Sequence, residues 1–516
     1  MTKEEGLKLL RKATNDSLAE FREGQWESID SLVNGRKKLL VIERTGWGKS
    51  SVYFISTRIL RNQGKGATII ISPLLALMKN QVEAAKRLGI NAILINSTNT
   101  SDWETHKQAV LNNEVDALLI SPERLSNNDF INNVLRPIAD GIGLFVVDEA
   151  HCISDWGHDF RPDYRRIVSI LKLMPNGIPV LGTTATANNR VCKDIVSQLG
   201  NIEIIRGALT RESISLQNIN LDNQASRLAW LKENIKEFPG SGIIYTLTKR
   251  DARIVTDWLI ECDIKAAYYY SGATNRDFDD SNTYRQYVEN ALYNNEVKAL
   301  VATSALGMGY DKPDLGFVVH YQAPSSTISY YQQVGRAGRA IEHAYGILLS
   351  GWEDDNIHAY FRRFAFPSSE HVTAILDKLG KLNGLSISEL AKELNLSKGQ
   401  IEQVLKYLQV EETSPVMRIG NKWKRTAADY KMDSEKILRL TTQRANEYNE
   451  VKEYIEHTGC LMRYLQDSLD DPNKSECGKC ANCTNKNKLK EDVTRENSIE
   501  ASLFLKYYEF DTKLKR

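Results

Sequence analysis

The chain has 516 residues, too many for one hydrophobic core, so several domains are expected. With 42% hydrophobic and 26% charged residues it lies in the ordinary globular range, which excludes a mostly disordered chain, and no apolar run approaches the ~20 residues of a membrane span. A net charge of +1 carries no message about nucleic acid, so any such surface must be a local patch or groove. The charged start Met1-Thr2-Lys3-Glu4-Glu5 has no signal-peptide core, and a cytoplasmic protein without membrane attachment is expected.

In chain order, Phe21-Arg22-Glu23-Gly24-Gln25 precedes a helical pattern and by itself reads as a surface turn. Leu39-Leu40-Val41-Ile42 predicts a strand, followed by Glu43-Arg44-Thr45-Gly46-Trp47-Gly48-Lys49-Ser50 and the apolar helix start Val52-Tyr53-Phe54-Ile55. Strand, glycine-containing loop, Lys-Ser and helix are the context of a phosphate-binding loop, in which backbone N–H groups and the helix N-terminus face the phosphates. There Lys49 would reach the β- and γ-phosphates and the Ser50 hydroxyl would hold Mg²⁺. Glu43 stands where the simple pattern has its first glycine.

Further strands are predicted at Thr68-Ile69-Ile70-Ile71, Ala117-Leu118-Leu119-Ile120, Leu144-Phe145-Val146-Val147 and Val180-Leu181-Gly182-Thr183, which together describe a doubly wound parallel sheet. The third of these delivers Asp148 and Glu149 at its carboxyl end, the usual ligand position in such a sheet. Polar turns at Ser72-Pro73-Leu74, Lys79-Asn80-Gln81, Ser121-Pro122-Glu123-Arg124 and Thr183-Thr184-Ala185-Thr186 could donate to nucleic-acid phosphates, although singly each reads more simply as a helix cap. After Glu149, Trp156, Phe160 and Tyr164 alternate with His158 and Arg161, the flat faces and cations of a single-strand stacking platform.

A second α/β set follows, with strand-like runs at Gly242-Ile243-Ile244-Tyr245, Ala266-Ala267-Tyr268-Tyr269-Tyr270, Leu300-Val301-Ala302-Thr303, Phe317-Val318-Val319-His320 and Gly346-Ile347-Leu348-Leu349. It lacks a phosphate loop but carries Gln332-Gln333-Val334-Gly335-Arg336-Ala337-Gly338-Arg339. Its two arginines, three apart, are expected on one side of a helical turn, from which an arginine finger would reach a γ-phosphate on the first lobe; a solvated basic turn is the plainer alternative.

In the C-terminal third, Ser386-Ile387-Ser388-Glu389 and Ser397-Lys398-Gly399-Gln400 have capping-box spacing, and Leu385, Leu390, Leu394, Ile401, Val404, Leu405 and Leu408 recur at helical intervals. With a hairpin around Gly420-Asn421 they predict a winged-helix-like unit whose Lys422, Lys424 and Arg425 would meet phosphate; a helical spacer is the alternative. A long amphipathic helix marked by Ile437, Leu440, Tyr448, Val451 and Ile455 then leads to Cys460, and Cys477, Cys480 and Cys483 complete four thiolates. Four thiolates favour a closed, structural Zn²⁺ site, with an iron–sulfur cluster as the competing reading.

Thr45-Gly46-Trp47-Gly48-Lys49-Ser50, Asp148-Glu149-Ala150-His151, the aromatic-rich loop, the segment 302–313 and the segment 332–339 stand in the order seen in RecQ helicases, and from about residue 10 to 350 and in the cysteine cluster the chain resembles that family of superfamily 2 DNA helicases. The resemblance implies two RecA-like lobes and an ATP-dependent DNA helicase, an ATP hydrolase that moves 3′ to 5′ on single-stranded DNA and unwinds duplex DNA in repair, recombination or defence. The alternative is a duplex translocase that does not separate strands.

Carried over residue by residue, the resemblance assigns catalysis to Lys49, Asp148, Glu149, Arg336 and Arg339. It assigns ATP binding to Arg22, Gln25, Thr45, Gly46, Trp47, Gly48, Lys49, Ser50 and Asp311. DNA contact and coupling fall to His151, Trp156, His158, Phe160, Arg161 and Thr303, Mg²⁺ to Ser50 and Asp148, and Zn²⁺ to Cys460, Cys477, Cys480 and Cys483. Trp47 replaces a loop glycine, Leu18 a frequent aromatic and Ser304 a usual asparagine, and the winged-helix-like unit precedes the zinc module where the family places it after.

The expected layout is 1–205 for the first lobe, 206–352 for the second, 365–430 for the winged-helix-like module, 431–486 for the zinc-binding subdomain and 487–516 for a tail. The partners would be single-stranded and duplex DNA, with the protein acting as a monomer.

Overall fold

The computed structural model describes residues 2–73, 75–95, 103–154, 164–307, 310–382, 384–409, 411, 413–486 and 488–514. The first sheet holds β1 (Lys38–Ile42), β2 (Thr68–Ile71), β3 (Ala92–Ile95), β4 (Ala117–Ile120), β5 (Leu144–Asp148), β6 (Val180–Thr184) and β7 (Glu203–Arg206), all parallel in the order β3-β4-β2-β5-β6-β1-β7. Its central strands are unbroken apolar runs because both faces are covered. Alternate residues feed two separate cores: Leu40, Ile42, Phe145 and Val147 on one face, and Leu39, Val41, Val146 and Leu181 on the other. The order brings β1, β6 and β5 side by side, with Ile42 opposite Thr184 and Asp148 opposite Thr183. That adjacency joins the loop after β1 to the carboxylates after β5.

The second sheet is also parallel, in the order β10-β11-β9-β12-β13-β8, from β8 (Ile214–Asn220), β9 (Gly242–Tyr245), β10 (Ala266–Tyr269), β11 (Ala299–Ala302), β12 (Phe317–His320) and β13 (Ala344–Ser350). Three of these strands, β3, β7 and β8, were not expected from the sequence. Strand β8 reads Ile-Ser-Leu-Gln-Asn-Ile-Asn, too polar for a buried strand, yet Ser215 and Gln217 are buried. The cysteine-bearing segment explains this: Gln217 exchanges hydrogen bonds with the backbone of Leu489 at 2.9 and 2.8 Å, Asn218 Nδ2 donates to Tyr454 O at 2.8 Å, and Ala481 N donates to Leu216 O at 2.8 Å.

The segment from 369 to 425 has its own core. Helices Ser369–Lys381, Ile387–Leu394 and Lys398–Gln409 enclose Ile375, Leu390, Ile401, Val404 and Leu405 against Trp423 of the antiparallel hairpin β14 (Val416–Ile419) and β15 (Lys422–Arg425). Leu385 pairs with Trp423 through two backbone hydrogen bonds of 2.9 and 2.7 Å, adding a short third strand, and both capping boxes form, at Ser386–Glu389 and Ser397–Gln400. This is a winged-helix arrangement, placed before the cysteines.

Helix Ser434–Glu456 then leads to the cysteine module, whose Tyr454, Leu461, Met462 and Leu465 belong to the second sheet's hydrophobic core. Toward the first lobe the same module makes polar contacts: Asp470 Oδ2 accepts from Asn189 N at 2.8 Å, Arg206 donates to Asp470 O at 2.9 Å, and Glu447 pairs with Arg190 at 3.3 Å. The module is thus built into the second lobe and only touches the first. The final helix, Arg495–Leu514, lies on the second lobe, with the Phe504 ring 5.2 Å from Trp258 and Lys232 paired to Glu500 at 2.5 Å.

Truncating Trp423 to alanine is expected to cost about 3–5 kcal/mol in the small 369–425 core. In hydrogen exchange by mass spectrometry, amides of 369–425 should lose about a hundredfold protection or more while those of both large sheets keep theirs. Unchanged protection would show that this unit does not depend on its own core.

Candidate nucleotide and nucleic-acid site

The loop after β1 turns sharply at Gly46 (φ 81°) and Gly48 (φ 100°), left-handed positions that a side chain would strain, and helix Lys49–Asn62 begins directly after them. A Cβ at Gly48 would also lie 2.6 Å from Gln25 Nε2. Trp47 is buried, its indole Nε1 donates to Glu23 O at 3.2 Å, and its carbonyl accepts from Gln25 Nε2 at 2.7 Å. Gln25 Oε1 accepts from Arg22 N at 2.9 Å, and the Arg22 guanidinium donates to Gly46 O. Arg22 and Gln25 therefore brace the loop.

Lys49 is half-buried, with Nζ donating to Glu43 O at 2.6 Å. Burial lowers its pKa, while the Glu149 and Asp148 carboxylates act to raise it. Asp148, at the end of β5, accepts from Thr183 Oγ1 at 2.7 Å and from Gln81 Nε2 at 3.0 Å, and Gln81 also donates to Tyr53 OH at 2.8 Å. Its pKa is pushed up to about 6, first by burial and then by the Glu149 carboxylate. Glu149 has φ 53°, a conformation uncommon for a side-chain-bearing residue, which turns the chain out of the strand. His151 is fully buried, with Nδ1 2.9 Å from Thr184 Oγ1 and 3.3 Å from Glu149 Oε2.

Thr183 and Thr184 are thus partners of Asp148 and His151. The helix-cap expectation fails for them because Asn188 caps the following helix, accepting from Val191 N at 3.0 Å.

The second lobe meets the loop with cations. A Cβ at Gly46 would lie 3.8 Å from Arg339 Cδ and 4.0 Å from Arg211 Nη2; Arg211 donates to Thr45, and Thr45 Oγ1 donates to Gly335 O at 3.0 Å. Burial pushes the Arg211 pKa down to about 10 and lowers that of Arg339, which pairs with Asp311. The two finger candidates do not share a helical turn. Helix Thr327–Val334 ends before them, and Arg336 Nη1 donates to Tyr310 O at 3.0 Å inside its own lobe, leaving Arg339 at the loop. Arg44 reaches across as well, to Thr210 O at 2.7 Å.

Desolvated cations crowding a glycine-turned loop are the chemistry of a polyphosphate cradle, and two mutually repelling carboxylates beside it are the chemistry of a divalent-cation site. Ser50 lies in the first turn of the helix that the loop opens.

Thr303 caps a short turn after β11 and lines a cavity of about 950 Å³ at the carboxyl ends of the second sheet, together with Thr246, Lys249, Gln332 and Arg444. Trp156, His158, Phe160 and Arg161 lie outside the described residues. Cys460, Cys477, Cys480 and Cys483 converge with their sulfurs within 4.8 Å of one another, the pairs Cys460–Cys477 and Cys480–Cys483 at 3.5 and 3.4 Å. A tetrahedral S₄ zinc site has sulfurs about 3.8 Å apart, and backbone N–H groups of Leu461 and Cys477 point at two of these sulfurs at 3.4 and 3.2 Å, so the set fits the ion.

Sequence reasoning missed Arg44 and Arg211 as site cations and Gln81 as a partner of Asp148. Arg44 sits inside the loop motif and could have been read as a further cation, whereas nothing in the run Thr210-Arg211-Glu212 singles Arg211 out.

The DEAD/DEAH box helicase family model matches residues 22–195, and the helicase conserved C-terminal domain model matches residues 226–341. Among solved structures, the Mycobacterium smegmatis helicase Lhr bound to single-stranded DNA and AMP-PNP is similar in fold, with a TM-score of 0.54 at 17% identity over 84% of this chain and 61% of that one. Fold and site together define a two-lobed helicase.

The ATP-dependent DNA helicase RecQ of Bacillus subtilis is 30% identical over 95% of this chain and 68% of its own length. The ATP-dependent helicase SGS1 of Saccharomyces cerevisiae is 33% identical over 65% of this chain and 23% of its own length. The chain belongs to the RecQ family of ATP-dependent DNA helicases.

The buried Glu43 carboxyl, in place of the first loop glycine, is pushed up to about 7 by its burial, against the pull of Lys49 and Arg44. A carboxyl with a raised pKa favours folding in its neutral form, so its ionisation removes stability as pH rises from about 4.5 to 7. Glu43→Gln, which mimics the neutral form, should stabilise the protein by about 1–3 kcal/mol near pH 8 and by almost nothing near pH 4.5, read by thermal unfolding. An equal effect at both pH values would refute the shift.

Proposed function

We propose that this RecQ-family chain couples ATP hydrolysis to 3′-to-5′ movement along single-stranded DNA and separates duplex strands ahead of it. The observation that carries this reading is the meeting of Lys49, Asp148 and Glu149 from one lobe with Arg339 and Arg211 from the other at one glycine-turned loop. A nucleotide bound there would touch both lobes, so its hydrolysis would change how they are held together.

In this reading Lys49 and the backbone of 45–48 bind the phosphates, and Arg22 and Gln25 hold the adenine end while bracing the loop. Glu149 orients the attacking water and accepts its proton. Arg339 stabilises the charge that develops on the transferred phosphoryl group, with Arg336 behind it and Asp311 orienting the Arg339 guanidinium. Ser50 and Asp148 would hold Mg²⁺, which neutralises phosphate charge when bound. His151, held between Glu149 and Thr184, couples the nucleotide to the segment that follows it, in which Trp156, His158, Phe160 and Arg161 would meet DNA. Thr303 would contact a DNA phosphate from the second lobe. The four cysteines would hold a structural Zn²⁺ that fixes the module against strand β8.

The division of labour follows the expected layout, with 1–205 and 206–352 as the motor, 365–430 as a DNA-docking unit and 431–486 as the brace.

Lys49→Ala should lower both DNA-stimulated ATP hydrolysis and unwinding of a 3′-tailed duplex by about 10²-fold or more. Persistence of either activity would sink the assigned role. Elemental analysis of the purified chain should find close to one zinc per chain, lost in Cys480→Ser; iron in its place would refute the tetrahedral zinc assignment.

A further inference from the structure

Helix Glu353–Arg363, which joins the second lobe to the winged-helix unit, has one face locked and the other bare. On the locked face Asp354 accepts from Arg227 Nη1 at 3.1 Å and from Ala323 N at 2.9 Å, and His358 Nε2 lies 2.8 Å from Ala323 O with its ring 4.0 Å from Tyr448. This is a fixed structural element. On the bare face Tyr360 is 60% exposed, Phe361 43% and Phe364 51%.

Single exposed apolar residues are ordinary, but a contiguous aromatic group on a rigid helix marks a contact surface. Here the rings are interleaved with cations: Tyr360 and Phe364 are 4.6 Å apart, and the Arg363 guanidinium lies 5.6 Å from the Phe364 ring. Aromatic faces alternating with arginine suit a partner with flat π-faces on an anionic backbone, which is single-stranded nucleic acid.

The position agrees with the chemistry. Phe361 lines the cavity that Thr303 and Lys249 also line, so the aromatic face borders the surface at which Thr303 is proposed to meet DNA. At the other side, Gln403 of the third winged-helix helix donates to Phe364 O at 2.7 Å. The face therefore spans the gap between motor and winged helix.

We propose that Tyr360, Phe361 and Phe364 form a stacking platform for unpaired DNA bases, carrying the single strand from the second-lobe cavity to the winged-helix unit. The inference rests on the helicase reading above. Stacking is indifferent to base identity, so the platform adds affinity without sequence preference.

The test compares the full wild-type chain with Tyr360→Ala/Phe364→Ala by fluorescence anisotropy on oligothymidylates of about 8 to about 20 nucleotides, lengths that bracket a single-strand site. The wild type should gain affinity with length, and the variant should lose at least tenfold of that gain. The slope of affinity against salt should stay unchanged, because no phosphate-neutralising cation is removed. Tyr360→Phe/Phe364→Tyr, which keeps the rings, should bind as the wild type does.

Equal length dependence in wild type and alanine variant would overturn the platform and leave this face to a protein partner, and a changed salt slope would overturn the stacking basis. If instead the wild type shows no ATPase stimulation by single-stranded DNA, the helicase reading itself has failed, so the two failures are told apart.

Discussion

The structure depends on a set of charges held out of water at the meeting of the two lobes. Burial lowers the pKa of Lys49 and raises that of Asp148 to about 6, so each charge is costly alone and tolerable only beside the other. The same burial pushes Arg211 and Arg339 down from the opposite lobe. A site with so many desolvated cations around one loop is poised for a polyanion, and the neighbouring carboxylates keep it from being a plain anion trap. Its stability comes from the sheet: β1, β6 and β5 are hydrogen-bonded neighbours, so the loop, the two threonines and the two carboxylates have no freedom to drift apart.

From that centre two lines of contact run outward. One passes from Glu149 through His151 to Thr184, connecting the carboxylates after β5 with the turn after β6. The other crosses the cleft through Thr45, Gly335 and Arg211. Both consist of polar contacts, which re-form in a new geometry more readily than packed apolar surfaces do. The cysteine module repeats this division, since its apolar residues are fused into the second lobe's core while Asp470 and Glu447 reach the first lobe through polar contacts. The module is therefore fixed to the second lobe by packing and to the first by polar contacts alone.

Much of this was legible in the residues. Short apolar runs ending in small or acidic residues marked most central strands of both sheets, because strands buried on both faces must be apolar throughout. The cysteine spacing identified its cluster, and the capping boxes at Ser386 and Ser397 identified helix starts, since both are local devices. Strand β8 was hidden because its polar side chains are satisfied by a segment about 270 positions later, as in the Gln217–Leu489 bonds. The misplacement of Arg336 and Arg339 on one helical turn has a similar origin: spacing does not reveal that the helix stops at Val334.

What the sequence by itself determined is the chemistry and the family: a Lys-Ser loop and paired carboxylates, readable because their residues are adjacent in the chain, and two α/β sets and four thiols, readable from recurring apolar runs and from the short gaps between Cys477, Cys480 and Cys483. Only the tertiary structure decided which partners those groups have: that Thr183 and Gln81 hold Asp148, that Arg339 rather than Arg336 stands against Gly46, that Arg211 joins the site, and that the Trp47 carbonyl is held by Gln25. The reason is physical. Local motifs are set by backbone geometry over one turn or one strand, whereas burial, and with it the strength and partner of every charge in the site, is set by which distant segments the fold brings together.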